Sequence, residues 1–584
     1  MKRILIRALA GIGALTVLLV LLLILVAVFA GGKEEVPDRV VLDVNFNQTF
    51  AEYIPDDPLS QFRSRDMMVM REVVDVLSRA RDDDRVVGLL ARVGAGQMGL
   101  AQIQELRDAI ADFRSSGKKA VAWSTTFGEF GPGGGAYYLA TAFDEIHLQP
   151  SGDIGLTGIQ MAQPFLKGMF EKLGVVPQMD HRREYKSMKN LFTEDAFTDA
   201  HREVTASLAQ GYYDQIVRGI VEGRGVDTPT ARQLMDSGPH LGTEVVARGL
   251  VDGLAYFEEM RDSVLAETGG GAEFLSLRAY GKRTTSDSDE GTAVALIYGA
   301  GAVARGKSQY DPGFGQVMGS DTVTEAFRAA VDDNAVKAIL FRVDSPGGSY
   351  VASDAIWRET VRAQERGKPV VVSMGNMAGS GGYFVAMSAD RVVAQPGTLT
   401  GSIGVVAGKL VTRAFWQKLG MTWDDVSVGG NAGMFSELHP YSDAEWLRFQ
   451  SWLDRVYDDF TGKVAQGRGM TRAEVEEVAR GRVWTGEQAL ERGLVDTLGG
   501  FSAALAVVRD VLDLPPDAPI ALRPFPPKRD LVTSIMATLS EGGAAVQASA
   551  RLLRVLEPAL PVAEMVGMGR EAGVLQMPEL KTRF

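Results

Sequence analysis

The two halves of this chain repeat each other at domain length, and the repeat is broken at the positions where chemistry would sit. Tyr137-Tyr138-Leu139-Ala140, Asp144, Pro150, Gly155, Gly158 and Leu173-Gly174 match Tyr383-Phe384-Val385-Ala386, Asp390, Pro396, Gly401, Gly404 and Leu419-Gly420, all 246 positions on. Flanking matches follow at slightly different offsets: Asp82-Asp83 and Arg92-Val93 with Asp332-Asp333 and Arg342-Val343, Gly117-Lys118 with Gly367-Lys368, and Gly249-Leu250-Val251-Asp252 with Gly493-Leu494-Val495-Asp496. A unit of this size is a duplicated domain and not a short solenoid repeat. In the shared register Ser380 falls on Gly134, and Lys186 falls on Ala432. Each half alone lacks one reactive side chain that the other has.

With 584 residues, 46% hydrophobic and 23% charged, the chain can bury more than one core. A net charge of −13 without a basic tract argues against nucleic acid as a partner. The absence of cysteine removes disulfides, thiolate nucleophiles and zinc-thiolate sites, and the five histidines show no metal-ligand spacing, so neither a metal nor a cofactor is expected.

Residues 8–32 carry no charge, and Val17 to Val28 are wholly aliphatic. That length predicts a transmembrane helix. The alternative is a cleaved signal peptide, for which Val28-Phe29-Ala30 resembles a cleavage site. Lys2, Arg3 and Arg7 before the span place the N-terminus in the cytoplasm and everything downstream outside it. The remainder divides into a first domain over 38–265, a linker over 266–292, a second domain over 293–514, and a proline-rich break with a helical extension over 515–584, after an N-terminus and anchor over 1–34.

Short aliphatic strands alternate with glycine turns and helices, an α/β pattern. In the second half a helix is predicted from Thr322 and Glu325, a capping-box pair, with Val323, Phe327 and Val331 on one face. The strand Ala338 to Val343 runs into Asp344-Ser345-Pro346-Gly347-Gly348, a helix follows over about 352–365, and Val370 to Ser373 leads into the turn that holds Ser380.

Ser380 follows a strand and opens a short helix, Tyr383 to Ala389, where free backbone N–H groups and the helix dipole suit a nucleophile. The Gly381 N–H is placed to donate to an oxyanion. Gly347 and Gly348 could present a second donor or pair with a peptide backbone. A serine needs a base, and a buried lysine can serve, since desolvation disfavours its ammonium form. Lys186 and Lys189 are the local candidates. Each residue also has a bland reading: a helix N-cap for Ser380, turn glycines, and solvated surface lysines.

The strings Asp344-Ser345-Pro346-Gly347-Gly348-Ser349, Met377-Ala378-Gly379-Ser380-Gly381-Gly382-Tyr383, Leu399-Thr400-Gly401-Ser402-Ile403-Gly404, Tyr185-Lys186-Ser187 and Val483-Trp484-Thr485-Gly486 together resemble the signal peptide peptidase A (protease IV) family in its long two-domain form. The likeness runs from the anchor to about residue 510. One departure is Gly379, where alanine is common. The resemblance implies a tandem crotonase-like (ClpP/crotonase) α/β fold and a homotetramer. It further implies that Ser380 is the nucleophile, Lys186 the general base, and Ser402 the group that orients the lysine. The chain would then be a serine endopeptidase of the bacterial inner membrane, single pass, with its catalytic domains on the periplasmic side, degrading released signal peptides and other apolar peptides. Two rival readings are a crotonase-type acyl-CoA enzyme and a non-catalytic peptide-binding scaffold.

Overall fold

A computed structural model describes residues 35–55, 67–94, 96, 98–284, 290–311, 315–527, 575–576 and 581–583. The expected membrane span at 8–32 lies outside the described residues, and among those described no helix is long and apolar enough to cross a membrane.

The first half is built on six parallel strands in the spatial order Glu273–Ser276, Val40–Asn45, Val86–Arg92, Lys119–Ser124, Glu145–Leu148 and Gly253–Leu254. The second half has the same order: Ile520–Phe525, Thr292–Ala300, Ala338–Ser345, Val370–Gly379, Arg391–Ala394 and Thr497–Leu498, again parallel. Such strands are apolar without a break because both faces are covered. Side chains alternate between those faces. Val40, Leu42 and Val44 join one large core, while Val41, Leu90 and Val121 meet Met260 and Val264 of the helix Phe257–Glu267 on the other. In the second half Ile297, Ile339 and Phe341 face the large core, and Val294, Leu296 and Leu340 meet Phe501, Ala504 and Val508 of the helix Phe501–Val511.

The repeated residues carry repeated jobs. Asp144 accepts the N–H of Ala120 at 2.8 Å, as Asp390 accepts that of Val370 at 2.7 Å. Tyr137 donates to the Leu250 carbonyl and Tyr383 to that of Leu494. Lys118 donates to the carbonyls of Ala80, Arg81 and Asp83, and Lys368 to those of Ala330 and Asp333, each satisfying the acceptors left free at a helix end. Long helices Asp199–Arg224 and Asp443–Arg468 start on Thr198 and Ser442 as side-chain caps and stop at Gly225 and Gly469, both at φ 64°.

Several boundaries differ from those read in the sequence. The stretch 266–292 is not only a connection: Glu273–Ser276 forms the edge strand of the first sheet and Leu277–Thr284 a helix beside it. Likewise the second sheet closes past residue 514, with Ile520–Phe525 as its edge. Edge strands tolerate polar residues and proline because one side needs no pairing, so composition hides them. The helix Ser320–Asp332 buries Val323, Phe327 and Val331 as expected, but the Thr322 and Glu325 capping box does not form. Gly319 is the cap residue, and the Thr322 hydroxyl accepts the Ser308 N–H at 2.9 Å instead.

The two halves interlock. The first-half strand Val176–His181 pairs antiparallel with the second-half strand Val406–Val411, from Val176 opposite Val411 to His181 opposite Val406. At a second contact between the halves Arg342 is fully buried, its guanidinium 3.0 Å from Glu52 and 2.7 Å from Glu105, both contributed by the first half.

Candidate active site

Ser380 closes the strand Val370–Gly379 and precedes the short helix Gly381–Phe384. Its backbone is held at φ 55° and ψ −113°, a costly conformation for a residue with a side chain and one associated with functional turns. Two bonds fix it: Ser380 N–H to the Gly401 carbonyl at 2.8 Å, and Phe384 N–H to the Ser380 carbonyl at 2.8 Å. The hydroxyl makes no capping bond to the helix. It points elsewhere.

Its partner arrives from the other half. After the crossing strand Val176–His181, Arg182 N–H donates to the Val405 carbonyl and Tyr185 N–H to that of Arg480, while Arg182 pairs with Asp454, Arg183 with Glu476 and Glu184 with Arg480. These contacts seat the next residue, Lys186, whose Nζ lies 2.7 Å from Ser380 Oγ, 2.9 Å from the Ser402 carbonyl oxygen and 2.9 Å from Ser402 Oγ. Lys186, Ser380 and Ser402 are all fully buried. Burial alone brings the Lys186 amine down to a pKa of about 7, since no carboxylate stands close enough to favour the ammonium. Lys189, the other candidate, is instead 3.5 Å from Asp180.

The turn glycines converge on the same point. A methyl group on Gly381 would stand 3.0 Å from Gly348 N and 2.7 Å from Ser353 Oγ, so the two backbones could not approach if Gly381 bore a side chain. Gly347 N–H donates to Ser345 Oγ at 3.2 Å, and Ser345 Oγ in turn donates to the Gly301 carbonyl at 2.6 Å. The loop that presents Gly348 is thereby anchored to its own sheet.

Gly481 was not legible as a site residue. Its Cβ position would fall 2.5 Å from Lys186 Cβ and from Lys186 N, so only glycine lets the lysine backbone pass. Ser345 and Ser353 also escaped notice, the first as an anchor of the glycine loop and the second as a buried hydroxyl against Gly381. A neighbouring RGR triplet reads as a turn until the lysine is seen lying on it.

An amine of lowered basicity, hydrogen-bonded to a strained hydroxyl beside the backbone of Gly381 and Gly348, can deprotonate that hydroxyl and support its attack on a carbonyl. The comparisons with known proteins agree on a family. The model of peptidase family S49 matches residues 112–269 and 362–514, one stretch in each half. The chain is 28% identical over 494 residues to a chloroplastic serine protease SPPA of Arabidopsis thaliana, covering 82% of this chain and 72% of that protein. It is 30% identical over 456 residues to protease 4 of Haemophilus influenzae (74% and 71% covered) and 31% identical over 458 residues to protease 4 of Salmonella typhi (76% and 72% covered).

Proposed function

Since the chain belongs to peptidase family S49 and is a serine protease, we propose that Ser380 is its nucleophile and Lys186 its general base. The observation that carries this reading is the 2.7 Å contact between Lys186 Nζ and Ser380 Oγ, both fully buried. A neutral amine has two N–H groups and one lone pair. Ser402 offers acceptors for both N–H groups, its carbonyl and its hydroxyl oxygen, which leaves the lone pair for the Ser380 proton. Ser402 is in this sense the positioning residue.

The reaction follows from those roles. Lys186 takes the Ser380 proton as Oγ adds to the peptide carbonyl. The oxyanion is held by the N–H groups of Gly381 and Gly348, because the Gly347 N–H is already engaged with Ser345. Lys186 then protonates the leaving amine, and later takes a proton from water as the ester is hydrolysed. With a serine protease established, the acyl-CoA enzyme and the non-catalytic scaffold lose their support.

The same reading extends to location and substrate. Residues 8–32 would anchor the chain in the cytoplasmic membrane with the two halves on its outer side, assembled as a homotetramer and acting on apolar peptides such as released signal peptides. Its test is hydrolysis of an apolar fluorogenic peptide, together with labelling by a serine-directed fluorophosphonate. Ser380→Ala should abolish both, and Lys186→Ala should lower both by at least about 10³-fold. Wild-type hydrolysis by either variant would refute the dyad.

A further inference from the structure

The strand that delivers Ser380 changes partner on the way. Residues 371–373 pair with 391–393, but 377–379 pair with Leu399–Gly401, which runs straight into Ser402. The change happens at a bulge. Along the neighbouring strand Val343 lies opposite Met374 and Ser345 opposite Ala378, so the single residue Asp344 faces three, Gly375, Asn376 and Met377.

Asp344 fills that bulge. Its Oδ1 accepts the Met377 N–H at 2.9 Å, and the Asn376 N–H is turned on the same carboxylate. Glycine is required opposite it, since a methyl on Gly375 would stand 3.0 Å from both Cβ and Cγ of Asp344. The bulged residues are stitched to the next strand as well: the Thr398 hydroxyl donates to the Gly375 carbonyl and that of Thr400 to the Ala378 carbonyl, both at 2.8 Å. Asn376 Oδ1 accepts the Gln102 N–H at 3.1 Å, at the start of the first-half helix Leu100–Arg114. Asp344's own strand ends at Ser345, and Gly347–Gly348 follows. One carboxylate thus sits where the segments carrying the nucleophile, the lysine's partner and the glycine loop branch apart.

We propose that Asp344 is a positioning residue of the peptidase: ionised, it clamps the bulge that sets Ser380, Ser402 and the Gly347–Gly348 loop against one another, and protonation slackens the clamp. The proposal rests on the reading of Ser380 as nucleophile and Lys186 as base. An ionised acceptor holds a backbone N–H about twice as strongly as a neutral one, so the charge matters to the clamp. Asp344 is half-buried, open enough to exchange protons with solvent. Desolvation, and after it the charge of Glu52 from the first half, raises its pKa to about 7, while the Met377 N–H and Arg342 on its own strand pull the other way. Arg342 is itself held between Glu52 and Glu105, and the adjoining strand contributes Tyr298, opposite Arg342 and kept a neutral phenol by burial.

The test follows kcat/KM of the full-length protein on an apolar fluorogenic peptide from about pH 5 to 9. In the wild type both Lys186 and Asp344 must lose a proton, so the acid limb should steepen toward about a hundredfold per pH unit. Asp344→Asn keeps the shape and removes the charge, and its limb should fall to about tenfold per unit. Its kcat on the plateau should drop about 10²-fold, with KM within about twofold of wild type. Gly375→Ala pushes the carboxylate aside without removing it. It should lose kcat to a similar degree, and the double variant should be no worse than either single one. Acid limbs of equal slope in wild type and Asp344→Asn would overturn the proposal, as would a wild-type kcat in either single variant or losses that multiply in the double. A base other than Lys186 lowers both limbs together and leaves their difference, so a failure of the dyad is told apart from a failure of the clamp.

Discussion

Lys186→Met tests the buried amine directly, through the pH dependence of stability. Lys186 is fully buried, and its pKa falls from 10.5 to about 7 on folding. Between those values the unfolded chain holds a proton on this side chain that the folded chain does not. The stability of the wild type therefore rises with pH across this window, by about 1.4 kcal/mol per unit. Below about pH 7 both states carry the proton, and the contribution of this group to the slope vanishes. Methionine has similar length and no titration, so its variant lacks the slope, whatever constant offset arises from the lost bonds to Ser380 and Ser402. The difference in unfolding free energy, wild type minus Lys186→Met, should grow by about 2–3 kcal/mol from pH 7.5 to 9.5. Urea unfolding of both proteins at matched ionic strength measures it. The peptidase activity of the wild type should instead climb between about pH 6 and 8 and level off above that, with an apparent pKa of about 7 set by the neutral fraction of the base. A flat stability difference over that interval would mean that the lysine keeps its ordinary basicity, and the general-base argument would fail.

Gly481→Ala should lower kcat by about 100-fold or more with the protein still folded by circular dichroism, since its methyl would push Lys186 off its line to Ser380. Ser402→Ala should reduce kcat about tenfold at unchanged KM, and Ser402→Thr should restore most of it, because a hydroxyl acceptor for the amine is what is lost. Arg342→Met leaves Glu52 and Glu105 buried without their cation, and should destabilise the protein by about 3–5 kcal/mol, read as a shift of the urea midpoint.

The duplication was legible because its matched residues hold the scaffold: Asp144 and Asp390 cap equivalent strands, and Lys118 and Lys368 cap equivalent helices. Such contacts are local to each unit and tie residue type to position. Ser380 could be singled out by its place between a strand and a glycine-rich helix start. Lys186 could not be reached by spacing, since it lies where the repeat fails and meets a residue 194 positions away. The broken repeat, with Ala432 in its place, and the Tyr185-Lys186-Ser187 motif were what marked it. The Thr322 capping box misled because a hydroxyl bonds whichever N–H the tertiary fold brings, here that of Ser308. The edge strands at 273–276 and 520–525 were missed for a related reason: half-solvated strands carry a weak apolar signal.

The crossing strand Val176–His181 has a consequence for the order of synthesis. A growing polypeptide presents this segment long before Val406–Val411 exists to receive it. A partly made molecule thus has its amine but no hydroxyl to activate. On the proposed roles of Ser380 and Lys186, hydrolysis has to wait until the trailing unit has folded and captured the earlier strand.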